Sequence, residues 1–448
     1  MPLLDAEAAT LTEYLDTGGG RGIRGALANP PEAVIGEVVA SGLRGRGGAG
    51  FPTGSKWWSV RTAGVGDRYV VCNGAEGEPG TFKDRFLLRR NPYLMLEGLA
   101  IAAYAVGARG AFAVLKETFG GELEAVRRAA DELRDADLLG DVPVEVVTGP
   151  DLYLLGEETG LLEAVERQLP LPRVAKPFVR GLFSTPTRYN PTVVNNVETL
   201  SNVPAIMAEG GDAFRRLGTE RSPGTMLFTV AGDVVAEGVY ELPLGTPMRF
   251  LIEDVAGGPA GGRAIKALLP GASNTVVLPE VLDVPLDFES LRAVGGGLGA
   301  GSFVVYDDTA CMVQVASMFS RFLWIESCGQ CPSCKLGCGV VTGCLERLET
   351  GHATLDDFER IPARARKVTD GQRCALPTGE SLLVQSLYYC FTDEFREHLE
   401  AGCAFPRRLD LPKIVDYDEH LGRFVYDRAY SRRQPDWTYA APPAAAAS

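Results

Sequence analysis

Hydrophobic and polar positions follow two alternating patterns in the first half of the chain. Short apolar runs typical of buried strands occur in "RYVVCN", "GAFAVLKE" and "VPVEVVTG". Longer stretches predict helices: "NPPEAVIGEVVASG", the wholly apolar "NPYLMLEGLAIAAYAVG" and the amphipathic "GGELEAVRRAADELRDADLLG". Strands that alternate with helices predict an α/β fold with a mostly parallel sheet.

The pattern changes after about residue 220. There "TMLFTVAGDVVAEGVYELPLG" predicts a hairpin, "PMRFLIEDVAGG" a short helix and "SFVVYDD" a closing strand. From "TACMVQVASMFSRFLWIESC" to about residue 402 the spacing is helical. We therefore expect an α/β domain over residues 1–219, a β-rich domain over 220–305, a helical domain over 306–405 and an extended or disordered tail over 406–448, ending in "PPAAAAS".

Composition narrows the class of protein. A chain of 448 residues is too long for a single core. Its net charge of −14 argues against nucleic-acid binding, which needs a basic surface. No stretch approaches the ~20 apolar residues of a membrane span, and the N-terminus lacks the basic start and apolar core of a signal peptide. We expect a cytoplasmic protein without direct membrane insertion.

Five cysteines crowd the segment "ESCGQCPSCKLGCGVVTGC". Disulfides belong mainly to exported chains, so metal ligation is the better interpretation. The spacing Cys328-x2-Cys331-x2-Cys334 suits a cubane iron–sulfur cluster, whereas zinc rarely takes three cysteines from one such run. The sequence therefore favours an iron–sulfur cluster over zinc.

The fourth ligand has two candidates. Cys338 completes the run C-x2-C-x2-C-x3-C, but in that pattern the last cysteine serves another cluster and precedes proline, whereas Gly339 follows here. Cys374 lies in "DGQRCALPTGESLL", a turn bounded by glycine and proline between two helical stretches, and is favoured. Three other cysteines lie in or beside apolar helical patterns, where cysteine is usually a small buried hydrophobe: Cys344, Cys390 and Cys403.

A glycine-rich stretch, "SGLRGRGGAGFPTGSKWW", covers residues 41–58. It satisfies G-x-G-x-x-G, but a predicted helix precedes it where a Rossmann turn needs a strand. Its glycines still allow close approach of backbone N–H groups to a phosphate. Nearby side chains supply positive charge and flat faces for a flavin or adenine, which favours a nucleotide site over a flexible solvent loop: Arg44, Arg46, Lys56, Phe51, Trp57 and Trp58.

Polar side chains in three other stretches are candidates to complete that site. They are Asn73, Glu76 and Glu78 after a predicted strand, Tyr153, Glu157 and Glu158 at a loop-to-helix junction, and the pair Asn195 and Asn196. Ligands of open α/β sheets bind at the carboxyl ends of strands. Two of these groups also have a simpler explanation, because acids such as Glu157 and Glu158 in a first helical turn complement the helix dipole and asparagines such as Asn195 and Asn196 form turns.

Together these stretches resemble the NADH-binding flavoprotein subunit of respiratory complex I and its relatives in NAD-linked hydrogenases and formate dehydrogenases. The similarity runs in order over about residues 35–405, through "LRGRGGAGFPTGSKW", "EPGTFKDR", "GEETG", "VVNNVETL", "GVYELPLGTPMRFLIEDVAGGP", "ESCGQCPSC" and "RCALP". The resemblance implies an FMN-binding α/β domain, a β-grasp domain of the SLBB type and a helical bundle that carries a [4Fe–4S] cluster, with Cys374 as the fourth ligand.

The resemblance also assigns site residues. Positions matching those that hold FMN are Gly45, Arg46, Gly47, Gly48, Lys56, Asn73, Glu76, Asn195 and Asn196. Positions matching those that bind or flank NADH are Phe51, Glu78, Tyr153, Glu158 and Phe178, with Glu157 beside Glu158. The chain departs from the family pattern at Ala75, where aspartate is usual, and at Lys176, which is displaced by one position.

The implied function is NADH oxidation. Hydride would pass from NADH to FMN, and single electrons would leave through the cluster to a thioredoxin-like [2Fe–2S] subunit and a larger iron–sulfur subunit, through which the protein could sit at the inner face of a membrane. The alternative is a non-catalytic electron-relay or assembly scaffold with a degraded nucleotide site. Ala75 and Lys176 favour the scaffold, whereas the intact glycine loop and Glu158 oppose it.

Overall fold

A parallel sheet forms the centre of the first domain in the computed structural model, which describes residues 2–64 and 66–441. Its four strands lie in the order β3-β2-β1-β4. They are β1 (Tyr69–Gly74), β2 (Gly110–Lys116), β3 (Val144–Gly149) and β4 (Thr192–Asn196). Val71 of β1 is in register with Phe112 of β2 and Val194 of β4. All four carboxyl ends therefore meet at one edge of the sheet.

Helices cover this sheet. They are α1 (Leu11–Asp16), α2 (Arg21–Leu27), α3 (Pro31–Ser41), α4 (Thr53–Arg61), α5 (Lys83–Arg90), α6 (Pro92–Val106), α7 (Gly120–Asp135), α8 (Glu158–Val165), α9 (Val197–Ser201), α10 (Val203–Glu209) and α11 (Gly211–Phe214). The helices predicted at α3, α6 and α7 are confirmed. In α6 the Asn91 side chain accepts a hydrogen bond from the Leu94 N–H, and Gly107 ends the helix with a φ of 68°.

A second, mixed sheet follows, as the change of pattern predicts. Its strands are β5 (Thr225–Gly232), β6 (Gly238–Pro243), β7 (Ile265–Leu269) and β8 (Ser302–Asp307), in the order β6-β5-β8-β7. The hairpin β5–β6 is antiparallel, β5 and β8 are parallel, and β7 and β8 are antiparallel. A single π-helical turn (Phe250–Val255) and α12 (Phe288–Ala293) lie in the connections.

The next part of the chain is a helical bundle, again as predicted. It contains α13 (Met312–Glu326), α14 (Pro332–Glu349), α15 (Leu355–Ala365), α16 (Leu376–Cys390) and α17 (Thr392–Ala401). The cysteine-rich loop joins α13 to α14, with Cys331 as the N-cap residue and Pro332 as the first residue of α14. Cys374 lies just before α16. Two helix starts therefore bring the cysteines of distant segments towards each other.

Residues 406–441 differ from the extended or disordered tail that was expected. They form an antiparallel hairpin of β9 (Ile414–Asp418) and β10 (Arg423–Tyr426), followed by a 3-10 turn (Arg428–Arg432). We call residues 406–441 the C-terminal strap. The final "PPAAAAS" lies outside the described residues.

The strap is fixed by contacts with both the α/β domain and the bundle. Gly80 N–H donates to the Pro412 carbonyl at 2.7 Å, and the Arg433 guanidinium lies 3.3 Å from the Glu326 carboxylate. The Trp437 indole donates to the Ile325 carbonyl at 2.9 Å. None of the helices in the described ranges combines the length and the apolar character needed to cross a bilayer.

Candidate functional site

A cavity of ≈ 540 Å³ lies at the carboxyl edge of the parallel sheet. Three parts of the chain line it: the glycine loop and strand ends of the α/β domain, a loop over residues 296–300 of the β-rich domain, and residues 374–376 of the bundle. Eight of the sequence-predicted cofactor residues are in its wall: Gly47, Gly48, Asn73, Glu76, Glu78, Tyr153, Glu157 and Asn196. The site is therefore built between domains, where ligand pockets commonly occur.

The glycine loop follows α3 and precedes α4, so it is not a Rossmann turn, as its sequence context indicated. Its ends are joined by a bridge between Arg44 and Pro52. Gly48 has a φ of 135°, and a Cβ added there would meet no atom within 4 Å. Within the described residues, the N–H groups of Gly47, Gly48 and Ala49 have no acceptor. These N–H groups and the open space fit the phosphate or ring of a bound FMN.

Arg46 supports the loop from behind. Its side chain is fully buried, its backbone N–H donates to Thr199 Oγ1 at 2.8 Å, and its guanidinium donates to the Pro223 carbonyl at 3.0 Å. Burial lowers the pKa of Arg46 to about 10. Arg46 and Gly45 do not line the cavity. Their position indicates that they shape the loop.

The asparagines predicted as flavin contacts hold secondary-structure ends in place. Asn73 donates to the Gly156 carbonyl at 2.7 Å. Asn196 accepts from the Glu198 N–H at 3.0 Å as the N-cap of α9. Asn195 is buried and accepts from the Trp57 indole at 2.8 Å. Asn73 and Asn196 reach the cavity, whereas Asn195 and Trp57 lie behind its wall.

Two carboxyl groups in the wall have strongly perturbed acidity. Desolvation raises the pKa of Glu76 to about 7, and the nearby Asp84 carboxylate adds to the effect. Desolvation also raises the pKa of Glu78 to about 7. Glu78 accepts from the Ala272 N–H at 2.8 Å and so ties the α/β domain to the β-rich domain. Near neutral pH these groups hold part of their protons, which lessens their repulsion of a phosphate.

Glu157 and Glu158 behave differently although they are adjacent. Glu157 caps α8 by accepting from the N–H groups of Thr159 and Gly160, both at 2.9 Å. Glu158 lies outside the cavity wall and forms an ion pair with Lys56, at 2.5 Å. The Lys56 ammonium also donates to the Val194 carbonyl at 3.0 Å. Lys56 and Glu158 therefore form a linked pair at the end of β4.

The aromatic residues expected to flank NADH differ in whether they reach the cavity. Tyr153 lines the cavity, and its N–H donates to the buried Glu326 carboxylate at 3.0 Å. Phe51 and Phe178 do not line the cavity, and they are 55% and 51% exposed. The cavity wall therefore contains one of the three aromatic residues assigned to NADH.

Sequence reasoning missed the contribution of the β-rich domain. The segment "GGGLGAG" over residues 295–301 is as rich in glycine as the first loop, and Gly296, Gly297 and Gly299 line the cavity. Arg292 is the single basic residue in the cavity wall as the described residues define it, beside Asn274. The glycine content was a readable signal, but only the fold shows that this loop faces the first one.

Four cysteines line one small neighbouring cavity: Cys328, Cys331, Cys334 and Cys374. Across residues 2–64 and 66–441, no three of these sulfurs lie within 4.8 Å of one another. A single tetrahedral zinc ion would need sulfurs about 3.8 Å apart, because Zn–S is about 2.3 Å. The wider spacing fits the corners of a cubane cluster, and the donor set suits one.

The other cysteines lie outside that cavity wall. Cys344 is buried within α14, as expected of a small hydrophobe, and Cys403 is half-buried. Cys338, the other candidate for the fourth ligand, is also buried within α14. Cys390 is exposed at the end of α16, so the expectation that it is buried is wrong. Cys374, Leu154 and Leu376 line both the cysteine cavity and the larger cavity. The two cavities therefore share a wall.

The cysteine loop is held by hydrogen bonds from several directions. The Lys335 ammonium donates to the carbonyls of Trp324, Ser327 and Pro435 at 3.1, 2.8 and 2.6 Å. The Gln330 amide donates to Cys328 Sγ at 3.5 Å and to the Pro172 carbonyl at 3.1 Å. The loop is therefore fixed to α13, to the C-terminal strap and to the α/β domain.

Comparisons with known proteins agree with this arrangement. Residues 38–205 match the Nuo51 FMN-binding domain, and residues 314–398 match the NADH-ubiquinone oxidoreductase-F iron–sulfur binding region. The second NADH-quinone oxidoreductase F subunit of Rhizobium meliloti is 40% identical over 402 residues, which are 87% of this chain and 94% of the relative. The NADP-reducing hydrogenase subunit HndC of Solidesulfovibrio fructosivorans is 34% identical, over 87% of this chain and 81% of its own.

A solved structure shows the same similarity in three dimensions. The NAD+-reducing [NiFe]-hydrogenase in its H2-reduced state matches with a TM-score of 0.78 and 34% identity, over 89% of this chain and 68% of that one. The resemblance expected from the sequence is confirmed. The chain belongs to the family of NADH-quinone oxidoreductase F subunits and is an NADH-oxidising flavoprotein with FMN and a [4Fe–4S] cluster as its cofactors.

Proposed function

We propose that this chain is the electron-input subunit of a multi-subunit oxidoreductase, with the ≈ 540 Å³ cavity as its flavin and NADH site. The observation that supports this most directly is that Cys374 lines both that cavity and the cysteine cavity. Bound FMN would accept a hydride from NADH and pass its two electrons on one at a time. The residues of this chain bind FMN and NADH, orient them relative to each other and exclude water from the site.

The proposed FMN residues are those assigned from the sequence: Gly45, Arg46, Gly47, Gly48, Lys56, Asn73, Glu76, Asn195 and Asn196. The free N–H groups of the glycine loop serve as anion donors. Gly47 has to be glycine, because a Cβ there would lie 2.9 Å from the Asn196 Cβ. Asn195 and Arg46 hold the wall in shape from behind.

The proposed NADH residues are Phe51, Glu78, Tyr153, Glu157, Glu158 and Phe178. The exposed rings of Phe51 and Phe178 offer faces for a planar base, and the Glu158 carboxylate offers an acceptor for ribose hydroxyls. Glu158 already neutralises Lys56. A ribose at Glu158 would therefore share the carboxylate with that ammonium group.

The proposed cluster ligands are Cys328, Cys331, Cys334 and Cys374. Leu154 and Leu376 fill the wall between the two cavities and keep water from it. The Lys335 side chain, fixed by three carbonyls, places a positive charge beside the loop. A fixed positive charge near thiolates favours the more negative, reduced cluster.

We propose the domain limits expected from the sequence, 1–219, 220–305 and 306–405, with the middle domain as an SLBB-type β-grasp unit. A mixed sheet with a central parallel pair, β5 and β8, supports this assignment. Its role is to carry the second glycine loop to the cavity.

We further propose a thioredoxin-like [2Fe–2S] subunit and a larger iron–sulfur subunit as partners. Support comes from the names of the relatives, which are subunits of quinone oxidoreductases and of a hydrogenase. A chain with a single cluster passes electrons on only if a partner cofactor lies close by.

The function is tested by anaerobic titration of the FMN- and cluster-loaded protein with NADH. We expect bleaching of the flavin absorption and the appearance of a reduced-cluster signal in electron paramagnetic resonance. A protein that retains flavin but is not reduced by NADH would instead support the non-catalytic scaffold.

The alanine at position 75 is expected to matter little for FMN retention. Ala75 is buried, and its backbone N–H donates to the side-chain oxygen Oδ1 of Asn73 at 3.2 Å. Because the free N–H groups of the glycine loop are the main anion donors in this proposal, Ala75→Asp should change the FMN dissociation constant by less than about tenfold, roughly 1.4 kcal/mol. Fluorescence titration with FMN measures this. A wild-type protein that loses FMN on gel filtration and an Ala75→Asp variant that keeps it would contradict the expectation.

The protein is expected to prefer NADH to NADPH. A 2′-phosphate would face the Glu158 carboxylate and remove one hydroxyl donor, at a cost of about 2 kcal/mol after partial neutralisation by Lys56, or roughly thirtyfold in kcat/KM. Glu158→Gln should reduce the preference for NADH, mainly by raising kcat/KM for NADPH. The rate of ferricyanide reduction with NADH and with NADPH gives kcat/KM for each nucleotide.

The control for this test is Glu145→Gln, a neutralisation of an exposed carboxylate on β3. This substitution should leave the ratio of kcat/KM for NADH to kcat/KM for NADPH unchanged. Equal rates with NADH and NADPH in the wild type would show that Glu158 acts only as a partner of Lys56.

A further inference from the structure

A second group of metal-ligand side chains lies in the bundle, apart from the cluster cysteines. Cys311 is the N-cap residue of α13, His398 is in the last turn of α17, and Cys403 lies between α17 and the C-terminal strap. Their ligand atoms all lie within 4.8 Å of one another. Cys311 and His398 are buried, whereas Cys403 is half-buried. Neither the FMN site nor the iron–sulfur site uses them.

The distances match a single tetrahedral ion. Cys311 Sγ and Cys403 Sγ are 3.8 Å apart, and Cys311 Sγ is 3.2 Å from His398 Nε2. With Zn–S of about 2.3 Å and Zn–N of about 2.0–2.1 Å, tetrahedral geometry places two sulfurs about 3.8 Å apart and a sulfur and a nitrogen about 3.5 Å apart. The four cluster cysteines, by contrast, are spread more widely than that.

The surrounding groups orient all three ligands. His398 Nδ1 lies 2.8 Å from the Glu394 carbonyl, so Nδ1 carries the proton and Nε2 presents its lone pair to Cys311. The Gln314 N–H donates to Cys311 Sγ at 3.4 Å, and the Gln314 amide donates to Cys403 Sγ at 3.5 Å. Donors to both sulfurs stabilise thiolates, the form that binds metal.

The group is well separated from the iron–sulfur site. Cys311 and Cys328 flank opposite ends of α13, whose 15 residues span roughly 22 Å at about 1.5 Å per residue. Cys403 and Gln314 also line a separate depression of ≈ 580 Å³. Water therefore reaches the fourth position of a three-ligand site from that side.

We propose that Cys311, His398 and Cys403 bind one zinc ion, with water as the fourth ligand. The ion would join the start of α13 to the end of α17 and to the short segment that leads into the C-terminal strap. It is a structural site, because it lies at the opposite end of α13 from the cluster loop and outside the cavity wall of the flavin site.

The test measures zinc and iron per chain in the purified, cluster-loaded protein, together with zinc K-edge X-ray absorption. We expect about one zinc per chain, with two sulfurs at about 2.3 Å and nitrogen or oxygen at about 2.0–2.1 Å. His398→Ala and Cys403→Ser should each lower zinc at least tenfold, since even the loss of a group that only hydrogen-bonds to a metal ligand costs about 10- to 100-fold in affinity. Iron should stay unchanged.

Two controls exclude zinc at other thiols. Cys390→Ser removes an exposed cysteine of the same bundle and should keep the zinc. Cys374→Ser should lose iron but keep a zinc ion with two sulfur ligands, which separates this site from zinc bound in a vacated cluster loop.

Three results would overturn the proposal. One is wild-type protein with full iron and less than about a tenth of a zinc per chain, well below the stoichiometry of a structural site. Another is a zinc content that His398→Ala and Cys403→Ser leave intact. The third is zinc-free native protein whose mass spectrum shows a Cys311–Cys403 disulfide.

Discussion

Replacing Cys374 by serine is expected to remove the iron–sulfur cluster and to leave FMN bound. Cys374 shares one cavity with Cys328, Cys331 and Cys334, and no other cysteine of the described chain lines that cavity. Serine has nearly the same shape, so the shared wall with the flavin cavity keeps its form, but its hydroxyl is a poor ligand for iron. Iron and acid-labile sulfide should fall at least tenfold, while FMN per chain, measured by fluorescence after denaturation, should stay near the wild-type value.

Cys338→Ser and Cys344→Ser are the matched controls. Both cysteines are buried in α14, close in sequence to the cluster loop but outside its cavity wall. Each variant should hold iron near the wild-type amount. If Cys338→Ser lost the cluster and Cys374→Ser kept it, the alternative ligand left open by the sequence would be the correct one.

Gly48→Ala is expected to weaken FMN binding by about 10- to 100-fold. The φ of 135° at Gly48 is one that side chains with a Cβ rarely adopt, and holding alanine there costs about 1–3 kcal/mol. The loop would relax away from this conformation and turn its free N–H groups out of the cavity. Fluorescence titration with FMN gives the dissociation constant directly.

Gly36→Ala serves as the control for this substitution. Gly36 is exposed in the middle of α3, where a Cβ would meet no atom within 4 Å. Alanine there should leave FMN affinity unchanged and slightly raise the melting temperature, because alanine favours helix. Equal FMN affinity in Gly48→Ala and Gly36→Ala would place the flavin outside this cavity.

The elements with strong periodicity were predictable, and the elements held by long-range contacts were not. The apolar run of β1 predicts a strand, and the long apolar stretch of α6 predicts a buried helix, each from its own sequence. Strand β4 does not, because its end contains Asn195 and Asn196, residues that favour turns. Pairing with β1 overrides that preference, since Val193 and Val194 bury their side chains in the sheet. The strap was unpredictable for the same reason: its short strands are stabilised by partners hundreds of residues away.

The candidate site shows a similar division. Local spacing was enough to predict the three cysteines of one loop as ligands, because ligands two residues apart are a local pattern. The convergence of the glycine loop with residues 296–300 depends on how two domains pack, and no local pattern encodes that. The pairing of Lys56 with Glu158 was also invisible, because 102 positions separate two residues that the sequence analysis assigned to different ligands.

The contacts of the C-terminal strap have a consequence for biosynthesis. Pro435 and Trp437, which contact the cysteine loop and the end of α13, lie roughly sixty residues after Cys374. At about 5–20 residues per second, a ribosome needs roughly 3–12 s to add them. All four cysteines are therefore synthesised before the strap can form these contacts. During this delay Lys335 and Ile325, on either side of the cysteine loop, lack the hydrogen bonds that the strap later supplies.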